Sequence, residues 1–196
     1  MALIISNAYL SQAQMTDNAQ YIADYLINKG WTRNAVAGIL GNMQRESTLN
    51  PGLWESLIYG NMSGGYGLVQ WTPATGYTSW ADARGYPWGN NYGNTTAYFN
   101  GQLECILWEV ANNQQWIATS SFNFSFSAFT RSAESPEYLA EAFMRNYERP
   151  GVLALEERRQ NARYWFENLT YGSSAVIKNA VEWAIAIAND NSHGYS

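Results

Sequence analysis

Apolar residues recur at helical spacing on both sides of one long interruption, a layout that restricts the chain to a mainly helical fold with a single irregular lobe. From Asp17 to Asn28 the stripe is Ile22, Ala23, Leu26 and Ile27, and Gly30 supplies the stop. Thr32 can cap a second helix, whose stripe of Val36, Ile39, Leu40 and Met43 runs on to Glu46. After Ser47 the period gives way to Gly, Asn, Pro and Tyr as far as Gly93. One alternating run there, Gly65 to Thr72, predicts a small antiparallel hairpin. Phe99, Leu103, Ile106, Leu107 and Val110 predict a buried helix from Thr96 to Asn112. Ser135-Pro136-Glu137 predicts a helix start with Leu139, Ala142, Phe143 and Tyr147 on one face, and Pro150 ends it. A last helix carries Leu155, Ala162, Trp165, Phe166 and Leu169. The expected fold is therefore mainly α (α+β), a helical lobe plus a small β-hairpin lobe with a cleft between them.

At 196 residues the chain can build one full core, which is assigned to residues 1–170. Residues 171–175 read as a linker. Residues 176–196 read as a helical tail, with Ile177, Ala180, Val181, Ala184 and Ala188 along one face. That tail resembles the opening of a cysteine-peptidase-like amidase domain of the kind joined to phage lysins, which would make a C-terminal amidase or peptidase domain a partner. A helix docked on the main body is the alternative.

Counting removes several chemistries. A net charge of −5 speaks against nucleic acid, whose phosphates need a basic face. Cys105 is the single cysteine and His193 the single histidine, so an internal disulfide, a thiolate metal cluster and a His-dependent nucleophile are all left without parts. Neither a phosphate-binding glycine loop nor a metal-ligand spacing occurs, and no cofactor is expected. The first fifteen residues lack the basic region and cleavage site of a signal peptide, and no stretch has the ~18 apolar residues of a membrane span. Carboxylates are left to do any acid-base work.

Glu46 stands three positions after Met43 on an apolar stripe, so its carboxyl points toward the interior or its edge. Desolvation and the partial negative charge of a helix C-terminus both favour the neutral acid there. Such an acid can protonate the oxygen of a glycosidic bond as it breaks. A structural glutamate paired with Arg45 or Arg149 is the competing reading.

The neighbourhood adds to this. Glu46-Ser47-x-x-Asn50-Pro51 followed by Gly65-Tyr66-Gly67-Leu68-Val69-Gln70-Trp71 resembles the pattern of goose-type lysozymes and lytic transglycosylases. Taken with Asn146-Tyr147-Glu148-Arg149-Pro150, the chain resembles the phage tail lysozyme family from about Ala19 to Leu169. The resemblance implies a lysozyme-like fold, peptidoglycan glycan strands as substrate, and Glu46 as catalytic acid. It also implies a phage-encoded protein of the virion tail, beside other tail proteins, or one released from the host cytoplasm to the wall.

Around that acid, Ser47, Tyr66, Gln70, Trp71, Tyr147 and Glu148 are the expected substrate-binding residues. Gly65 and Gly67 let backbone approach a ligand, Gln70 offers a donor and an acceptor, and Trp71 can stack on a sugar. A tight turn with Gln70 spent on backbone groups and Trp71 in the core is the alternative, as a buried Tyr147 and a Glu148–Arg149 ion pair are for the third motif. Glu55, nine positions after Glu46, is the first candidate for a second carboxylate, with Asp82 and Glu148 in reserve. Three functions follow: a muramidase hydrolysing the MurNAc-β-1,4-GlcNAc bond, a lytic transglycosylase using the same acid, and a non-catalytic wall-binding or virion structural module.

Overall fold

The computed structural model describes residues 2–171 apart from Asn91 and Asn94. The expected tail, 176–196, and all but the first residue of the expected linker lie outside the described residues.

The expected helices follow the stripes closely. α1 (Gln12–Asn28) opens on a capping box in which Ser11 and Gln14 satisfy each other's backbone amides. α2 (Arg33–Ser47) is capped by Thr32, whose Oγ1 accepts from the Ala35 amide, and it ends where Thr48 and Leu49 turn left-handed. α3 (Thr75–Asp82) lies inside the stretch expected to be irregular, α4 (Thr95–Ala111) follows its expected stripe, the short α5 (Phe126–Thr130) forms where no helix was expected, and α6 (Pro136–Phe143) and α7 (Leu155–Asn168) follow theirs. None of the described helices is long and apolar enough to cross a membrane.

α2 is the axis of the fold. Every residue from Ala35 to Met43 is buried, because α1, α6 and α7 pack around it. Two glycines set how near they come. A Cβ on Gly38 would lie 2.9 Å from the Leu139 side chain of α6, and one on Gly41 would lie 2.5 Å from the Arg158 carbonyl of α7. Between these crossings Asn42 donates to the carbonyls of Gly38 and Ala140 and accepts from Arg158, tying α2, α6 and α7 through one amide.

α6 does not stop at Phe143. It widens into a π-helical turn, Met144–Glu148, closed by the Arg149 amide on the Met144 carbonyl at 2.7 Å. The wider turn sets two consecutive side chains, Tyr147 and Glu148, against the same cavity.

The expected hairpin is reduced to less than a pair of strands. Tyr66 bridges Trp54 on one side and Trp71 on the other, and among the described residues these two antiparallel bridges are the whole of the β-pairing. Pairing stops after Trp71 because the chain turns at Thr72-Pro73, where proline has no N–H to give to a ladder. Side chains hold the turn instead. Gln102 of α4 accepts from the Leu68 amide at 2.7 Å and donates to the Pro51 carbonyl at 2.7 Å, while Ser47 donates to the Leu68 carbonyl at 3.0 Å. The rings of this lobe stack on one another: Trp71 on Tyr77 at 4.8 Å between centroids, and Trp80 on Tyr86 at 5.6 Å.

Candidate active site

A cavity of about 650 Å³ separates the irregular lobe from the helical one. Glu46 reaches it from the end of α2, Leu53 to Ser56 with Gly65 and Val69 to Thr72 form one wall, and Glu109, Gln115 and the Tyr147–Gly151 segment form the other.

Glu46 is 19% exposed, and its Oε1 accepts from Arg158 Nη2 at 2.5 Å. The cation is neither of those expected. Arg45 turns outward to Glu157 at 3.0 Å, and Arg149 donates to the carbonyls of Gln115 and Asn146. Arg158 is 2% exposed and also donates to Asn42 Oδ1 and the Leu153 carbonyl, so every arm of the guanidinium is committed. Its signal was present in the sequence. Arg158 stands three after Leu155 and four before Ala162, on the buried stripe of α7.

Glu148 lines the same cavity. The expected ion pair with Arg149 is absent among the described residues, and Glu148 Oε1 is buried with no hydrogen-bond partner there. Burial first, and then the charge of Glu46, push its carboxyl well above the ordinary carboxylate range, with Arg158 and Arg149 pulling the other way.

Glu109 escaped the sequence reading altogether. It accepts from the Trp71 indole at 2.9 Å and from the Tyr147 phenol, bridging the turn and the π-helical segment across the cavity wall. Burial raises its carboxyl, while those two donors lower it. Cys105 and Ile106, one turn earlier on α4, are buried, so Glu109 too continues a buried face.

The other expected residues divide. Glu55, Gln70, Trp71 and Tyr147 line the cavity with Glu46 and Glu148. Glu55 is exposed and holds the Gly65 amide at 2.8 Å through Oε2. Gln70 donates to the carbonyls of Leu53 and Gly67 through Nε2, and its Oε1 lies against Gly65. The phenol of Tyr147 is turned to Glu109, and its ring stacks on Phe143. Ser47 and Tyr66 do not reach the cavity. Ser47 is buried beneath the turn with its hydroxyl on Met43 and Leu68, and Tyr66 is fully buried between Trp54 and Tyr77, its hydroxyl accepting from the Gly89 amide. Asp82 lies away on α3, accepting from the Trp88 indole. Gly65 and Gly67 make room for side chains of the protein itself: a Cβ would fall 2.7 Å from Gln70 Oε1 at the first and 2.6 Å from Gln102 Oε1 at the second.

Chemically, the cavity holds four carboxyls, Glu46, Glu55, Glu109 and Glu148, of which only Glu46 meets a buried guanidinium. Among the described residues no cluster of His, Cys, Asp and Glu is arranged to hold a metal ion.

Known proteins resemble this chain over most of its length. The model of the phage tail lysozyme family matches residues 17–169. Among curated relatives, Morphogenesis protein 1 of Bacillus phage B103 is 50% identical over 174 residues, covering 89% of this chain and 45% of that protein. The chain thus spans less than half the length of that relative.

Proposed function

The chain belongs to the phage tail lysozyme family, and on that premise we propose that its cleft cuts the glycan strand of bacterial peptidoglycan with Glu46 as general acid. The observation that carries this reading is the placement of Glu46: a carboxyl at the end of the central helix, 19% exposed, opening into a groove of about 650 Å³. A groove of that volume accommodates sugar rings, and a partly desolvated carboxyl can hand a proton to the bridging oxygen. The reaction is hydrolysis of the MurNAc-β-1,4-GlcNAc bond. Glu55, on the opposite wall, is the second carboxylate, held in place by the Gly65 amide with one oxygen left to face water or the anomeric carbon. Gln70, Trp71 and Tyr147 shape the subsites, and Glu148 lines the groove beside the acid. As a phage morphogenesis relative, the protein acts from the virion on the host wall.

The test is the clearing of a purified peptidoglycan suspension by wild type, Glu46→Gln and Glu55→Gln, with mass spectrometry of the products. Wild-type clearing that yields reducing ends, lost in Glu46→Gln, supports the proposal. Products lighter by one water identify a lytic transglycosylase acting through the same acid. Equal clearing by wild type and Glu46→Gln, or none by either, identifies a wall-binding or structural module.

A further inference from the structure

We propose that Glu148 shares a single proton with Glu46 and returns it to Glu46 for each glycosidic bond cut, acting as a positioning residue and not on the sugar itself. The inference rests on the reading of Glu46 as the acid.

Three observations on geometry carry it. Glu46 and Glu148 open into one cavity from different elements, α2 and the π-helical turn. Among the described residues the one fully buried cation, Arg158, spends its three arms on Glu46, Asn42 and the Leu153 carbonyl and gives none to Glu148. Glu148 Oε1 is buried and accepts nothing from the described residues. An ionised carboxylate left in that state is strongly destabilised, as any buried unpaired ion is, whereas a neutral acid is not. Two carboxyls and one guanidinium are electrically neutral when one proton is held between the carboxyls.

The other charged groups facing Glu148 fit this count. Glu109 on α4, on the same wall as Glu148, adds negative charge and so favours the shared proton. Arg149 opposes it, with its guanidinium drawn toward the carbonyls of Gln115 and Asn146. The Tyr147 phenol is engaged by Glu109. The resting arrangement is then a neutral Glu148 beside an ion pair of Glu46 with Arg158.

For catalysis the proton passes from Glu148 to Glu46. Glu46 gives it to the bridging oxygen as the bond to the anomeric carbon breaks and its electron pair leaves with that oxygen. The incoming nucleophile, water in hydrolysis, bonds to the anomeric carbon and releases one proton. That proton restores the pair, so the enzyme ends each cycle with the proton count it began with.

The experiment compares Glu148→Gln and Glu148→Asp with wild type on purified peptidoglycan across the pH range, together with carbon NMR of the glutamate carboxyls, assigned with Glu46→Gln and Glu148→Gln. In Glu148→Gln, Arg158 faces Glu46 alone and the neutral state of that pair holds no proton. The alkaline limit of activity therefore moves down by about one pH unit, which is roughly a tenfold loss of kcat near neutrality, recovered on acidification, with KM little changed. Glu148→Asp keeps the wild-type profile. The wild-type spectrum shows one protonated cleft carboxyl at neutral pH, and Glu148→Gln lacks it. An even loss at every pH, or two ionised carboxyls at neutral pH in the wild type, overturns the proposal. A wild type that holds the proton and cuts no wall supports the shared proton and overturns the glycosidase reading alone.

Discussion

Arg158 reaches Glu46 from α7 with Nη2 2.5 Å from Oε1, and the same guanidinium fastens Asn42 on the turn before it. One side chain therefore sets both the packing of α7 on α2 and the orientation of the candidate acid.

Replacing Arg158 by Met removes the buried partner of a half-buried carboxyl and leaves Asn42 Oδ1 without its donor. The expected loss is about 3–5 kcal/mol, read as a lower urea midpoint with little change in m-value. Arg158→Lys keeps the charge but cannot serve three acceptors in a fixed fork, and should fall between Met and wild type. A Met variant as stable as wild type would show that the guanidinium contributes nothing net to the α2–α7 junction.

At Gly41 the backbones of α2 and α7 approach closely. In Gly41→Ala the new methyl would stand 2.5 Å from the Arg158 carbonyl and 2.8 Å from the Ala162 Cβ, so α7 has to move as a unit. Overpacking of this kind costs about 1–3 kcal/mol and carries Arg158 away from Glu46. Gly76→Ala on α3 is the paired control. It meets nothing within 4 Å, and should be neutral or gain about 0.5–1 kcal/mol. Equal melting temperatures for the two variants would contradict the close approach.

Glu109 accepts from Trp71 and Tyr147 together, which joins the two walls of the groove. Glu109→Gln keeps the shape, loses the charge and can accept fully at only one oxygen, so the expected destabilisation is about 1–3 kcal/mol. With the indole released, Trp71 emission shifts to the red, and KM for peptidoglycan rises more than kcat falls. Unchanged emission would mean that Glu109 does not fix the ring.

Burial raises the carboxyls of Glu148 and Glu109 in the folded chain, so between the ordinary glutamate range, about 4.3, and their folded values the native state binds protons that the unfolded chain has released. Stability from these two groups is complete at the acid end and falls as pH rises through that window. Glu104, Glu137 and Glu141, lowered by their hydrogen bonds to Lys29 and Tyr25, to Arg163, and to Arg145 and Arg159 despite partial burial, act in the opposite sense, and their contribution disappears as pH falls below the ordinary range. Melting temperature should peak at mildly acid pH, and Glu148→Gln should flatten the decline above the peak. Parallel curves for the variant and wild type would remove Glu148 as the source.

These particulars also mark how far the sequence could be read. The helices were legible because each buries one apolar stripe, and Glu46 was visible as an ionisable group on such a stripe. Arg158 and Glu109 occupy equally periodic positions. They were passed over because a charge on a helix reads as a solvated face unless a partner on another helix is known, and pairings 112 and 38 positions apart leave no local trace. Tyr66 and Ser47 erred in the other direction. Both sit inside a recognisable motif, yet there they serve to hold the turn, and a motif does not record which of its members face outward. The hairpin was overread for a related reason, since the alternating run from Gly65 to Thr72 gives no sign that the side chains of Gln102 and Ser47, remote from the turn in sequence, replace the ladder.

The π-helical turn at Met144–Glu148 carries a further implication. One surplus residue is accommodated there, and each residue of an ordinary helix is rotated by about 100° from the last. Shortening the segment by a single position, even one ahead of Glu148, would swing that glutamate out of the groove. The number of acids facing the groove is in this sense written in spacing as much as in composition, and deletions at this point should alter pH response before they alter folding.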